Sequence, residues 1–175
     1  MDPIIVPRGA LVVLIGAAGA GKSTFATRHF PSETILSSDA FRARLGDGEG
    51  DQSVTKPAFA ALHRALEARL ARGRLTVVDA TNVTAGARAS LLRPTRKLGV
   101  PAIALVLDVP AEIAIARNAA RDGRMVPEAA VRRQLVALER VDDATLRREG
   151  FATVLRLRAP ADFATLQVLL PARRE

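Results

Sequence analysis

The chain has no cysteine, tyrosine or tryptophan, and its 175 residues include only two histidines, His29 and His63. Without cysteine, a disulfide scaffold, a thiolate zinc site and a cysteine nucleophile are all excluded. Two histidines argue against a histidine-rich metal site, so we expect any catalytic base to be a carboxylate. Six phenylalanines are the only aromatic residues, which is a poor supply for the base-stacking platform that many single-strand binders use.

Lysine is also scarce, although the chain is basic. The 26 Lys and Arg residues exceed the 18 Asp and Glu residues and give a net charge of +8, yet only Lys22, Lys56 and Lys97 are lysines. A basic balance favours a polyanionic partner, nucleic acid first. The alternative is that the protein simply uses arginine often and places it on ordinary solvent-exposed faces. The net charge alone does not distinguish this explanation from a polyanionic partner.

No targeting or membrane segment is visible. The chain opens with Met1-Asp2-Pro3 rather than with basic residues, and the apolar stretch 10–20 is short and interrupted by glycine. A hydrophobic content of 49% is enough for a core without disulfides. We therefore expect one soluble, cytoplasmic domain over 1–175 with no membrane partner.

Short apolar segments alternate with helical ones along the chain. Strands are predicted at 10–15, 34–36, 75–78, 100–107 and 151–157, and helices at 22–29, 57–72, 85–98, 111–122, 127–141 and 142–149. Strands that are apolar throughout suit a parallel sheet covered on both faces. The alternation predicts an α/β fold, and the helices before the last strand leave room for a flap over the site.

The segment 16–23 reads GAAGAGKS and fits the phosphate-loop pattern G-x-x-x-x-G-K-[ST] in full. Its glycines let backbone N–H groups point at phosphate oxygens, and the helix that follows presents its positive end to the same anion. Lysine supplies a charge between the β- and γ-phosphates, and the serine hydroxyl suits Mg²⁺. We assign nucleotide binding to Gly16, Gly19, Gly21, Lys22, Ser23 and Thr24.

An aspartate follows the third predicted strand at position 79. The carboxyl end of a parallel strand lies in the crevice where ligands bind. Asp79 is therefore predicted, with Ser23, to serve the metal, either through water or by positioning Lys22 and Ser23. The alternative is a helix cap, for which Thr81 and Asn82 are better placed.

The second strand leads into Ser37-Ser38-Asp39, with Arg42 three residues later. A carboxylate at this rim can accept the proton of an attacking hydroxyl. The alternative role for Asp39 is the N-cap of a short helix, and the two roles are compatible. Arg42 faces the same side of that helix and is predicted to hold an anionic part of the acceptor.

Arg117, Arg121 and Arg124 recur at i, i+4 and i+7 between the fourth and fifth strands. On a helix they form one stripe, although Gly123 is expected to end the helix and leave Arg124 on a loop. The guanidinium group of arginine can donate two parallel hydrogen bonds to phosphate oxygens, and it stabilises the negative charge that develops in phosphoryl transfer. The alternative is a solvated face in an arginine-rich chain.

Together these motifs resemble the kinase module of bacterial polynucleotide kinase-phosphatases, enzymes that heal broken RNA or DNA ends. The resemblance runs from about 11 to 163 and rests on order and spacing as well as on the phosphate loop. The matching segments are 16–25, 37–39 with Arg42, 51–55, 62–63, 75–82, the run RNAARDGR at 117–124 and REGF at 148–151.

The resemblance implies an adenylate-kinase-like P-loop fold in three layers, with a five-stranded parallel sheet and an arginine-bearing lid at about 110–140. It implies transfer of the γ-phosphate of ATP or another NTP, with Mg²⁺, to the 5′-hydroxyl end of RNA or DNA. By position, it makes Asp39 the general base and Arg117 and Arg121 the catalytic lid arginines, beside Lys22. It assigns the polynucleotide to Arg42, Gln52 and Arg124.

The chain also departs from that family. The family joins its kinase to phosphatase and ligase modules, for which 175 residues leave no room, so we expect a stand-alone kinase or an excised module. Small-metabolite and toxin-like kinases share the fold and the loop, so a small acceptor is the main alternative. A non-catalytic nucleotide-binding switch is a second one. The choice of RNA or DNA, the preferred NTP and the oligomeric state stay open.

Overall fold

A computed structural model describes residues 3–45, 55–121, 125–158 and 160–170. Gln52 and Arg124 lie outside these ranges. The strands are β1 (Ile4–Ile5), β2 (Leu11–Ile15), β3 (Ile35–Ser37), β4 (Thr76–Asp79), β5 (Ala102–Leu107), β6 (Thr153–Leu157) and β7 (Val168–Leu169). The helices are α1 (Lys22–His29), α2 (Ser38–Leu45), α3 (Thr55–Ala71), α4 (Ala85–Leu98), α5 (Ala111–Ala119), α6 (Glu128–Glu139), α7 (Asp143–Glu149) and α8 (Pro160–Thr165), with a 3₁₀ turn at Ser32–Thr34.

The main sheet has five parallel strands in the order β3-β4-β2-β5-β6. Strand β2 is central, and Val13 pairs with Val78 on one side and with Ala104 on the other. The predicted five-stranded parallel α/β fold is therefore confirmed. Each predicted strand is present, with ends that shift by one or two residues.

Helices cover both faces of this sheet. Leu11, Val13 and Ile15 of β2 pack against α3 and α4, while Val12 and Leu14 face α1. Every residue of β2 is fully buried, which explains why its sequence is apolar throughout rather than alternating. The resulting three layers leave the carboxyl ends of the strands as the open edge, where α/β sheets bind ligands.

A second, two-stranded sheet joins the two ends of the described chain. Ile4 pairs with Val168, and Ile5 pairs with Leu169. Two residues per strand carry no readable periodicity, so neither β1 and β7 nor helix α8 is predicted from the sequence. Among the described residues, no helix is long and apolar enough to cross a membrane.

A buried ion pair fixes the segment that follows β4. Arg88 of α4 is 1% exposed, and its Nε and Nη2 donate to Glu149 Oε2 and Oε1 at 2.6 and 2.7 Å. Its Nη1 donates to the carbonyl of Asn82 at 3.1 Å. Asn82 has a positive φ of 51° and donates to the Leu14 carbonyl at 2.8 Å. Arg88 thereby holds the β4–α4 loop against β2.

Removing one partner of this pair should be costly. We predict that Glu149→Ala lowers the free energy of unfolding by about 3–5 kcal/mol, because it leaves the buried guanidinium without its counter-charge. Urea denaturation measures the change. The matched control is Glu67→Ala, which removes the exposed 3.7 Å pair with Arg93 and should cost less than about 1 kcal/mol. Equal losses in the two variants would contradict this prediction.

Both histidines are half-buried, and burial lowers the pKa of each. The nearby Arg93 guanidinium lowers the pKa of His63 further, while Glu67 opposes it, and at His29 a hydrogen bond to the Phe163 carbonyl opposes the effect of burial. The unfolded chain therefore binds protons more readily than the folded one, so stability is full above the ordinary value of about 6.5 and falls below it.

Replacing His63 with glutamine should flatten this dependence. We expect the Tm of the wild-type protein to fall more between pH 7.5 and 5.5 than that of His63→Gln, since the neutral amide does not titrate. Thermal melts at both pH values check the difference. An identical fall in the two proteins would show that protonation of His63 does not couple to folding.

Candidate active site

The phosphate loop connects β2 to α1, and its glycines adopt conformations that other residues avoid. Gly19 and Gly21 have φ values of 80° and 93°. A Cβ added to Gly19 would lie only 2.0 Å from the backbone oxygen of Ala114 in α5. Position 19 therefore requires glycine, because its φ is positive and no side chain fits against α5.

Lys22 is the first residue of α1, and it is 9% exposed. Its Nζ donates to the carbonyls of Gly16 at 3.0 Å and Ala17 at 2.7 Å. The ammonium group is therefore held over the first half of the phosphate loop, near the loop amides that can bind phosphate oxygens.

Ser23 and Asp79, the two residues predicted for the metal, lie together. Ser23 Oγ donates to Asp79 Oδ2 at 2.7 Å, and Asp79 is the buried last residue of β4. The described residues include no cluster of three or more His, Cys, Asp or Glu side chains that could hold a metal. One hydroxyl and one carboxylate fit Mg²⁺, which usually keeps several waters and takes the rest of its ligands from phosphates.

Asp39 and Arg42 form an ion pair at the carboxyl end of β3. Arg42 is 4% exposed, and its Nη2 contacts Asp39 Oδ1. Ser38 Oγ lies 3.2 Å from the same oxygen. Helix α2 begins at Ser38, so Asp39 lies inside its first turn, and the alternative role of Asp39 as the N-cap is wrong. The predicted shared face of Asp39 and Arg42 is present, because three residues nearly complete a helical turn.

The lid arginines do not form the predicted stripe. Helix α5 ends at Ala119, three residues before its predicted end, and Arg121 lies beyond it. Asn118 explains the stop: its Nδ2 donates to the Val126 carbonyl at 2.7 Å, and its Oδ1 accepts from Val126 N at 3.1 Å. Asn118, near the end of α5, thus binds the backbone of Val126 through both atoms of its amide.

Arg117 and Arg121 reach different parts of the site. The Nη1 atom of Arg117 lies 3.7 Å from where a Cβ on Gly21 would be, beside the end of the phosphate loop. Arg121 lines the cavity that contains Asp39 and Arg42. The two arginines therefore lie at different places, Arg117 beside the phosphate loop and Arg121 in the cavity wall.

A cavity of about 730 Å³ joins these groups at the carboxyl edge of the sheet. Its lining includes Lys22, Ser23 and Asp79, and it also includes Asp39, Arg42 and Arg121. The rest of the wall is largely apolar and is formed by Phe59, Val83, Met125, Val126, Pro127 and Ala130. An anion-binding loop and a carboxylate base candidate thus open into one space, as a group transfer between two substrates requires.

Two cavity residues were not predicted from the sequence. Gln134 of α6 accepts a hydrogen bond from Ala18 N in the phosphate loop at 2.8 Å, and Asn82 braces the cavity floor through the Leu14 carbonyl. A glutamine within an amphipathic helix carries no signal of such a contact. The positive φ of Asn82 is typical of asparagine, but its partner is 68 residues away.

Gly19 offers a direct test of the loop geometry. We predict that Gly19→Ala lowers the free energy of unfolding by roughly 1–3 kcal/mol and weakens nucleotide binding, since the methyl group displaces the loop or α5. Denaturation and nucleotide titration measure the two effects. Gly86→Ala is the matched control, because nothing lies within 4 Å of its added Cβ, and it should change stability by at most about 1 kcal/mol, in the stabilising direction. Unchanged nucleotide affinity in Gly19→Ala would contradict the assignment.

Comparison with known proteins defines the family. A family model described as an AAA domain (AAA_33) matches residues 11–141, which is well over half of the chain. The chain therefore belongs to this family, and its loop and sheet make it a P-loop kinase-like domain. No curated protein sequence matches it significantly.

Solved structures share the fold at low sequence identity. A chain in the Pnkp1/Rnl/Hen1 RNA repair complex has a TM-score of 0.66 at 22% identity, covering 82% of this chain and 47% of that one. This chain thus spans about half the length of that relative. A sugar kinase from Janibacter sp. HTCC2649 has a TM-score of 0.59 at 22% identity, with 90% of each chain covered. AvrRxo1-ORF1:AvrRxo1-ORF2 with ATP gives 0.65 at 18%, covering 81% and 50%.

Proposed function

We propose that the protein is a polynucleotide 5′-hydroxyl kinase that transfers the γ-phosphate of an NTP, ATP in the first place, to the 5′ end of RNA or DNA. The observation that carries the proposal is the shared cavity. It brings Asp39 and Arg42, at the end of β3, into the same space as Lys22 and Ser23 of the phosphate loop.

The donor half of the site suits a nucleoside triphosphate. Loop amides and the start of α1 bind phosphate oxygens, and Lys22 moves from the carbonyls of Gly16 and Ala17 to the β- and γ-phosphates. Ser23 and Asp79 would hold Mg²⁺ with the phosphates, and the ion would supply positive charge against the charge developing on the phosphate oxygens. ATP binding in AvrRxo1-ORF1:AvrRxo1-ORF2 is in keeping with this donor.

Asp39 serves as the general base in the proposed transfer. Its carboxylate accepts the proton of the 5′-hydroxyl as that oxygen attacks the γ-phosphorus. A new O–P bond forms, the bond from the γ-phosphorus to the β,γ-bridging oxygen breaks, and the electron pair leaves with the nucleoside diphosphate. The ion pair with Arg42 orients the carboxylate, and Arg42 also lies where it can contact a phosphodiester of the acceptor.

Arg117 and Arg121 stabilise negative charge at two different places in the proposed transfer. Arg117, beside the phosphate loop, serves the donor phosphates, and Arg121, in the cavity wall, serves the phosphoryl group during transfer. Gln52 and Arg124 stay predicted polynucleotide contacts. The proposal also treats 1–175 as one kinase domain with a lid at about 110–140, acting in the cytoplasm.

Two observations favour a nucleic-acid acceptor. The order and spacing of the motifs match the polynucleotide kinase module, and the fold is shared with a chain of an RNA repair complex. The second candidate is a small-metabolite kinase, which is favoured by the 90% mutual coverage with a sugar kinase.

A labelling assay separates the two acceptors. Protein, Mg²⁺ and γ-labelled ATP are mixed with matched 5′-hydroxyl RNA and DNA oligonucleotides, and in parallel with a panel of sugars. We expect label at the oligonucleotide 5′ end and a KM that rises steeply with salt, because phosphate contacts release counterions. Labelled sugar with unlabelled oligonucleotide at high enzyme concentration would reject the polynucleotide proposal in favour of the metabolite kinase.

Asp39→Asn tests the mechanism separately from the choice of acceptor. We expect the turnover number to fall by roughly 10²–10⁴-fold, as for loss of a general base, with nucleotide affinity retained. Single-turnover labelling and nucleotide titration measure the two. Glu139→Gln, which changes an exposed carboxylate of α6, is the control and should keep full activity. Turnover at the wild-type rate in Asp39→Asn would remove Asp39 from the mechanism.

A further inference from the structure

Gln134 links the lid to the phosphate loop. It belongs to α6, and its Oε1 accepts a hydrogen bond from the backbone N–H of Ala18 at 2.8 Å, across 116 residues of sequence. Both residues line the cavity that contains Lys22 and Ser23. A neutral side chain from the lid therefore occupies one N–H group of the loop that binds anions.

This contact orients the whole carboxamide. A glutamine side chain has an acceptor oxygen and a nitrogen with two donor hydrogens. Because the Ala18 N–H can only donate, it binds the oxygen, and this determines which side of the group the nitrogen occupies. Within the described part of the chain, Gln134 Nε2 makes no hydrogen bond to the protein. Two donor hydrogens therefore lie beside the phosphate loop for a ligand in the cavity.

The position of Ala18 indicates which phosphate this ligand presents. Of the loop residues, Ala18, Lys22 and Ser23 line the cavity, whereas Gly19, Ala20 and Gly21 do not. Ala18 therefore lies on the side of the loop that opens into the cavity shared with Asp39. For in-line transfer, the terminal phosphate of the donor must lie on this side, since the acceptor approaches it from the cavity.

We propose that Gln134 Nε2 donates a hydrogen bond to the γ-phosphate of the bound NTP, and that the Ala18 N–H holds the carboxamide in the orientation this requires. Gln134 is then a specificity-determining residue that favours nucleoside triphosphate over diphosphate. The inference rests on the proposed function only for its NTP donor, and it is independent of the acceptor.

Two substitutions distinguish this role from a purely structural link. Gln134→Glu keeps an oxygen for the Ala18 N–H but replaces the donor nitrogen with an anionic oxygen, which repels phosphate. Gln134→Met has a similar length and removes both functions. Arg133→Gln is the matched control, because Arg133 is an exposed neighbour on α6. Thermal melts establish that each variant is folded, and Gln134→Ala replaces Gln134→Met if the latter is not.

Calorimetric titration of the full chain with ADP and with β,γ-imido ATP, with Mg²⁺ and no acceptor, measures the discrimination. We expect Gln134→Met to weaken triphosphate binding roughly tenfold, as for a hydrogen bond to a charged group, and to change ADP binding less than about twofold. Gln134→Glu should weaken triphosphate binding further, and Arg133→Gln should change neither.

Two results would overturn the inference. Wild-type triphosphate affinity in Gln134→Glu would show that the acceptor oxygen alone matters and that the contact is a structural link. An unchanged ratio of ADP affinity to triphosphate affinity in Gln134→Met, whether both affinities fall equally or neither falls, would show that no γ-phosphate contact exists. Because no acceptor is present, these results are independent of whether an oligonucleotide or a sugar is phosphorylated.

Discussion

The close approach of the phosphate loop to helix α5 determines the shape of the site. Gly19, in a left-handed conformation, lies so near the Ala114 carbonyl that no side chain fits between them. The same contact therefore also fixes where α5 lies. Arg117, one turn further along α5, reaches Gly21 from this position. The phosphate loop and α5 are thus parts of one packed unit.

The charged and polar groups around the cavity have protein partners that a substrate can replace or extend. Lys22 donates hydrogen bonds to loop carbonyls, Ser23 donates one to Asp79, and Arg42 forms an ion pair with Asp39. These partners lower the cost of burying charged groups. Deeper in the fold, Arg88 pairs with Glu149 and binds the Asn82 carbonyl, and it thereby holds the β4–α4 loop that forms part of the cavity wall.

Much of the fold could be predicted from the sequence, because the patterns that indicate its strands and helices are local. The five strands of the main sheet are apolar runs, and α1 and α4 occur at their predicted limits. Gly99 ends α4 in a left-handed conformation, as a glycine after a helix often does. The end of α5 was predicted wrongly because it depends on the reciprocal bonds between Asn118 and Val126, and such pairing leaves no periodic trace. The β1–β7 sheet joins residues more than 160 positions apart, and no local pattern encodes it.

The sequence by itself determined the phosphate loop, the parallel sheet and the set of residues that carry charge near it, because each depends on residue type and short spacing. Only the tertiary structure decided where side chains from distant segments lie: Arg117 beside the phosphate loop, Arg121 in the cavity wall, and Gln134 hydrogen-bonded to Ala18. The reason is physical. Hydrogen bonds and ion pairs between distant segments depend on where packing brings the helices and strands. The identity of a residue is the same whether its side chain contacts the phosphate loop or water, so the sequence alone does not reveal the contact.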